Sequence, residues 1–321
     1  MRPAIACICG RGPPALSLMP FAPPMRYRSP RLSSIRNAER LTPPVAYHGE
    51  GPFWDARTDR LLSVDVLAGD IVVVDRSGAV SRHSVPSQVV TVVRRRASGG
   101  FVIATKNGLM GANEELSSFE RLVDVTLDPN VRTNDGGCDP FGAFVIGTMA
   151  YDERPGGGVV YRVTPDHRVT EVLSPVSISN GIQWSADGTR VYYVDTPTRR
   201  VDAFDVDPET GAWSNRRPHI CVGDTSGYPD GMAIDEDGGL WVALWGGGAI
   251  NRYDSLGKLA ETVRVPGVTQ VSSCTFGGEG RDVLYITTSR QGLPEDQEPS
   301  AGAIFAVATE ARGMVARGFA G

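Results

Sequence analysis

The sequence predicts an all-β chain folded as a six-bladed β-propeller. Three observations carry this expectation. A unit of strand, hairpin turn and strand is written three times at nearly constant length. Turn-then-apolar-strand signals recur at quasi-regular steps through the chain. No stretch shows sustained helical periodicity with caps, which disfavours βαβ units.

Residues 1–39 differ in composition from the rest of the chain. They carry Arg2, Arg11, Arg26, Arg28, Arg31 and Arg36, seven prolines, and no acid before Glu39. Such a composition also suits a transit peptide. The apolar run Ala4 to Cys9 is too short for a secretory signal, and Arg11 ends it. The segment reads as a disordered N-terminal extension, or as the product of a start codon placed ahead of Met25. Residues 40–321 are then expected to form a single propeller domain.

From Leu41 onward, apolar strands begin at Leu61, Phe101, Phe144, Val191, Leu240 and Val283, in steps of 40, 43, 47, 49 and 43 residues. Steps of that size, each holding three or four short strands, are the signature of propeller blades. Runs such as Ile71-Val-Val-Val74 lack alternation, as expected where both faces of a sheet are covered by neighbouring blades. Closure pairs the two chain ends in one sheet. Thr42 to Tyr47 and Ala303 to Val307 are the strand-like candidates for it.

The repeated unit starts each time with an oxygen-bearing side chain followed by glycine. Glu50-Gly51 leads through Leu61-Leu-Ser-Val-Asp65 to Asp75. Asn180-Gly181 leads through Val191-Tyr-Tyr-Val-Asp195 to Asp205. Asp230-Gly231 leads through Leu240 to Leu244 and on to Asp254. Residues just ahead of a blade's first strand meet at one mouth of the central channel. Two carboxylates and an amide oxygen converging there repel unless a cation joins them. The donor set suits Ca²⁺, Mg²⁺, Mn²⁺, Fe²⁺ or Zn²⁺. The competing explanation is that such pairs only shape turns. Recurrence at one phase in three units favours the cation.

A second cluster, Arg132-Thr-Asn134-Asp135-Gly136, holds the same place in the third unit. Arg132 and Asn134 are two apart, so in extended chain both face one way. A fixed guanidinium beside an amide suits a polyhydroxylated or carboxyl-bearing ligand. Asp135 and Asp139 are read as turn-formers, Cys138 and His48 as packed, and Ser179 as lacking a triad. Trp245 belongs either to the pocket floor or to blade packing.

Over about Val45 to Arg290 the chain resembles the gluconolactonase/regucalcin (senescence marker protein) family, especially its bacterial sugar lactonases. The resemblance rests on five ordered motifs: Gly49-Glu-Gly-Pro52, Arg132-x-Asn-Asp-Gly136, Gly147-Thr-Met149, Ser179-Asn-Gly181 and Pro229-Asp-Gly231. It implies a six-bladed propeller with metal ligands at Glu50, Asn180 and Asp230, and sugar contacts at Arg132 and Asn134. A further substrate contact, a glutamate in some members, falls on Asp152 by equal spacing, with Glu153 beside it. The implied activity is hydrolysis of a sugar lactone using one divalent metal as Lewis acid, with water activated by Asp230 or by a metal hydroxide. The alternatives are a phosphotriesterase-like or hydrophobic-lactone propeller hydrolase, and a non-enzymatic calcium-binding propeller.

Bulk properties agree with a small-molecule partner. Charged residues are 21% and the net charge is −5, which speaks against nucleic acid. No apolar run approaches the ~18 residues a membrane helix needs. Five cysteines without CxxC spacing speak against a disulfide framework or a zinc cluster. A cytoplasmic monomer or weak homo-oligomer is expected.

Overall fold

A computed structural model of the chain describes residues 34–223 and 227–321. For residues 1–33 the expected N-terminal extension lies outside the described residues. Two short strands come first, β1 (Ser34–Asn37) and β2 (Glu39–Arg40). Blade one holds β3 (Gly49–Asp55), β4 (Arg60–Asp65), β5 (Asp70–Val74) and β6 (Val80–Ser84). Blade two holds β7 (Val90–Arg95), β8 (Phe101–Thr105), β9 (Gly108–Ala112) and β10 (Phe119–Asp124). Blade three holds β11 (Val131–Cys138), β12 (Phe144–Ala150), β13 (Gly158–Val163) and β14 (Val169–Val176). Blade four holds β15 (Ser179–Trp184), β16 (Arg190–Asp195), β17 (Arg200–Val206) and β18 (Trp213–Cys221). Blade five holds β19 (Tyr228–Ile234), β20 (Leu240–Trp245), β21 (Ala249–Tyr253) and β22 (Leu259–Arg264). Blade six holds β23 (Val271–Gly277), β24 (Val283–Thr288) and β25 (Phe305–Ala308).

Six antiparallel meanders therefore succeed one another, as the propeller reading expects. The periodic signal in the sequence came from the second strand of each blade. These strands are buried nearly throughout, β8 and β12 completely, because a neighbouring blade covers each face. The outermost strands are polar and open, as in Val80–Ser84. The six first strands touch one another in a closed ring, β3 to β7 and round to β23 and back to β3. Among the described residues no α-helix occurs, and no helix is long and apolar enough to cross a membrane.

Closure does pair the two chain ends, one step earlier than expected. Glu39 and Arg40 lie antiparallel to Ala306 and Phe305 as the fourth strand of blade six. Leu41 and Thr42 still donate to the Ile304 carbonyl, and Val45 and Ala46 to that of Gly302. Between them Pro43 and Pro44 have no N–H to give, so a regular ladder stops there. The boundary drawn from composition at residue 39 cuts through this closing segment. Ser34–Asn37, on its far side, runs parallel to Glu261–Arg264 as a fifth strand of blade five.

Beginning the chain at Leu41 removes β1 and β2 together. Losing a handful of ladder bonds costs about 2–4 kcal/mol. The melting temperature should fall by roughly 3–8 °C relative to a chain beginning at Leu32. Equal melting of the two chains would show that closure does not depend on these strands.

Candidate active site

The six innermost strands share one irregularity. Each shifts register near its start, between Glu50 and Phe53, Val90 and Val92, Thr133 and Gly136, Asn180 and Ile182, Pro229 and Met232, and Val271 and Ser273. A bulge re-aims a side chain that a regular strand would point elsewhere. The oxygen-bearing residues therefore lie inside the first strand, at its bulge, and not ahead of it. The glycine after each one permits close approach to the next blade. A Cβ on Gly51 would stand 2.7 Å from the Thr91 carbonyl oxygen, and one on Gly181 2.8 Å from that of Asp230. On Gly231 it would meet Ser273 Oγ at 2.2 Å.

A cavity of about 480 Å³ opens at this end of the channel. Glu50, Arg132, Asn134, Asn180 and Asp230 all line it, so five of the six expected site residues come together. Asp152 does not join them. Its side chain is 65% exposed and pairs with Arg154 at 3.0 Å. β12 ends at Ala150, and the Glu153 N–H closes a turn onto the Ala150 carbonyl. Glu153, in the left-handed region at φ 55°, lines the cavity in its place.

One chain of hydrogen bonds ties blades three, four and five together. Arg132 Nη1 donates to Asn134 Oδ1 at 2.6 Å. Asn134 Nδ2 donates to Asn180 Oδ1 at 2.9 Å and to the Ser179 carbonyl at 2.8 Å. Asn180 Nδ2 donates to Thr196 Oγ1 at 2.8 Å, and Thr196 Oγ1 to the Pro229 carbonyl at 2.9 Å. A carbonyl only accepts, so Thr196 spends its proton on Pro229 and must accept from Asn180. The amide of Asn180 is thereby fixed, and its oxygen keeps a second lone pair for a cation. Aspartates at the ends of β4 and β16 set the approach to the bulges. Asp65 takes the N–H groups of Tyr47 and His48, and Asp195 those of Ser177 and Ile178.

A second ring lies two residues upstream of the bulges. His48, Ile178 and Tyr228 stand two before Glu50, Asn180 and Asp230, as Arg132 stands two before Asn134, and all four line the cavity. The period-two argument that paired Arg132 with Asn134 finds the other three when applied to every repeat. His48 is both packed and part of the site. Its Nδ1 lies 2.9 Å from Ser289 Oγ, and its ring meets Trp245 edge-on at 5.7 Å. Burial, with the Arg132 charge, lowers its pKa to about 3, so the imidazole is neutral at pH 7. Trp245 lines the cavity, which resolves the two possibilities left by the sequence. Thr196 carries no motif of its own and was not legible before the hydrogen bonds were.

Cys138 is buried, as expected. Asp139 forms its turn by accepting from Phe141 and Ala143. Asp135 accepts from the Gly136 N–H at its bulge and also lines a second cavity of about 100 Å³ beside Arg94.

The electrostatics of the bulge ring favour a cation. Burial, and then the Asp135 charge, push Glu50 up to about 8. Burial, and then the Glu50 charge, hold Asp230 well above the usual carboxylate range. Two carboxylates held above their usual range, Asp230 partly by the charge of Glu50, stand beside an amide oxygen fixed in place and offer oxygens that a hard divalent ion could use.

Residues 48–290 match the family model described as SMP-30/Gluconolactonase/LRE-like region. The chain belongs to this family. Among its relatives, regucalcin of Xenopus laevis is 38% identical over 285 residues, 85% of this chain and 95% of that one. Human regucalcin is 37% identical over 286 residues, covering 86% and 95%. A solved structure described as a calcium-binding protein, regucalcin, from Agrobacterium tumefaciens superposes with TM-score 0.83 at 28% identity, covering 90% of this chain and 99% of that one. A luciferin-regenerating enzyme superposes with TM-score 0.77 at 32% identity, covering 88% and 97%. The family expected from five motifs is thus the family found.

The site's geometry sets two expected outcomes. Thr196→Val leaves the Asn180 amide without its anchor, and affinity for a divalent cation should fall by about 10–100-fold in calorimetric titration. Unchanged affinity would mean that Asn134 alone orients Asn180. The second outcome is a pH dependence. Raised carboxylate pKa values stabilise the folded chain below the unfolded values near ~4, and that contribution is lost as pH rises toward about 8. The chelator-treated protein should therefore melt lower at pH 9 than at pH 6, and Glu50→Gln should flatten the slope. A melting temperature that rises with pH over this window would contradict the assignment.

Proposed function

We propose that this member of the SMP-30/gluconolactonase family hydrolyses a lactone bearing hydroxyl or carboxyl groups, with one divalent cation held by Glu50, Asn180 and Asp230. The observation that carries the reading is the convergence of those three groups with Arg132 and Asn134 on one cavity, where hydrogen bonds tie Arg132, Asn134 and Asn180 together. The calcium-binding description of the Agrobacterium relative supports a divalent ion. The donor set admits Ca²⁺, Mg²⁺, Mn²⁺, Fe²⁺ or Zn²⁺. A cation there supplies Lewis acidity toward the lactone carbonyl and stabilises the charge that develops on its oxygen.

The chain's own groups do the rest. Arg132 is 6% exposed, with its charge directed at Glu50, Glu153 and Asp230. It is placed to hold a substrate hydroxyl or carboxylate. Asp230, 5% exposed on the bulge of β19, takes the proton of the attacking water. Water adds to the carbonyl carbon, the ring C–O bond breaks, and the released alkoxide regains a proton to give the hydroxy acid. Glu50 and Asn180 act as holders, and the neutral His48 adds a dipole without adding charge.

Two variants separate the roles. Asp230→Asn keeps an oxygen of nearly the same shape and removes the base. At saturating cation its kcat should fall by about 10²–10⁴, the usual worth of a general base. Glu50→Gln should act mainly through cation affinity and recover much of its activity in excess cation. Equal recovery of both would make Asp230 a ligand only. Cation binding without lactone turnover, in the wild-type chain, would replace the hydrolase reading with a binding role.

A further inference from the structure

The blades contribute differently to the cavity at the channel mouth. Blade three gives it Arg132, Asn134 and Glu153, which suit hydroxyl and carboxyl groups. Blades four and five add the carbon-rich side chains of Ile178, Pro197, Tyr228 and Trp245. Tyr228 and Trp245 are direct partners in the register of β19 and β20, so their side chains rise side by side from one face of the sheet. The ledge they form is braced. The Arg199 guanidinium lies 3.8 Å over the Tyr228 ring and donates to the Gly227 carbonyl at 3.1 Å. The His48 ring closes on Trp245 edge-first. Tyr228 is nonetheless 42% exposed.

In the repeat, Tyr228 takes the place that His48 and Ile178 take in blades one and four, and Trp245 the place of Thr196. Neither ring joins the hydrogen-bond chain from Arg132 to the Pro229 carbonyl that fixes Asn180. Their presence at the mouth is therefore not required by it. Apolar surface held rigid at a concave site is what binds apolar ligand parts. The cavity volume also falls in the range of about 300–1,000 Å³ that accommodates ligands larger than a bare sugar lactone.

On the footing of the lactonase reading, we infer that the substrate is an amphipathic lactone. Its oxygen-rich end faces Arg132 and Asn134, and an aryl or compact alkyl substituent lies on the Tyr228–Trp245 ledge. The competing use of the ledge is to stack the face of an unsubstituted sugar ring.

The test compares D-glucono-1,5-lactone with its 6-O-benzyl derivative, with Mn²⁺ in excess. The benzylated lactone should have the higher kcat/KM, by about tenfold or more, as burying a ring-sized apolar group in a fitted site allows. Tyr228→Ser and Trp245→Leu should each lower the ratio of the two kcat/KM values several-fold, mostly through KM, and Trp245→Phe should restore part of it. Equal or better turnover of the parent lactone, or an unchanged ratio in the variants, would overturn the amphipathic substrate while leaving the lactonase reading intact. If neither lactone turns over, the lactonase reading fails. Calorimetry with the corresponding aldonic acids then decides the ledge separately: tighter binding of the benzylated acid supports it, and equal binding refutes it. Tyr228 is half-open at the surface, so its variant should fold, and circular dichroism checks this.

Discussion

The close approach of the six innermost strands at their bulges is the constraint on which the rest depends. A regular strand alternates its side chains between two sheet faces and offers the channel mouth no special set of groups. The bulge breaks that alternation once per blade, at the same height. The glycine next in sequence lets the next blade's backbone come within a distance that any Cβ would forbid, as Gly51 does for Thr91 and Gly181 for Asp230. Glu50, Asn180 and Asp230 are gathered because the backbone between them has been pared to glycine. The carboxylates are then left facing each other in a half-enclosed site, and their raised pKa values express the cost of that arrangement.

The site has a structural reason to be expensive. A hydrogen-bond chain running from Arg132 to the Pro229 carbonyl crosses three blades, and each link has its direction set by the one after it. Such a chain holds Asn134 and the Asn180 amide in one orientation ahead of any ligand. Burial and neighbouring charge make the ionised form of the carboxylates costly in this fold. Under the proposed function a divalent cation would relieve that repulsion, and cation affinity and fold stability would then be linked.

Much of this was legible in the sequence because the propeller writes its site in a repeat. The phase shared by Glu50, Asn180 and Asp230 pointed to residues that line one cavity, and the spacing of second strands gave the blade number. What was not legible depended on backbone detail. Two prolines moved the closing ladder to Glu39–Arg40. A tight turn after Ala150 moved the cavity contact from Asp152 to Glu153, since one residue of left-handed backbone exchanges which side chain faces inward. Thr196 matters only through a hydrogen bond whose direction the Pro229 carbonyl decides, and nothing in its local sequence announces that.

The two rings of the mouth answer to different requirements. The bulge ring must supply oxygens at one height, so its residue types are narrowly set by charge and reach. The ring two residues upstream shares the same strands and the same orientation, and of its members Arg132 alone enters the hydrogen-bond chain that reaches Asn180. In this chain it reads His48, Arg132, Ile178 and Tyr228. On the proposed reading the bulge ring holds the cation and the ring upstream meets the substrate, two residues apart along the same strands. Arg132 takes part in both, since it anchors Asn134 and through it Asn180, so changes at His48, Ile178 or Tyr228 are the ones that would alter the cavity wall without reaching the hydrogen-bond chain.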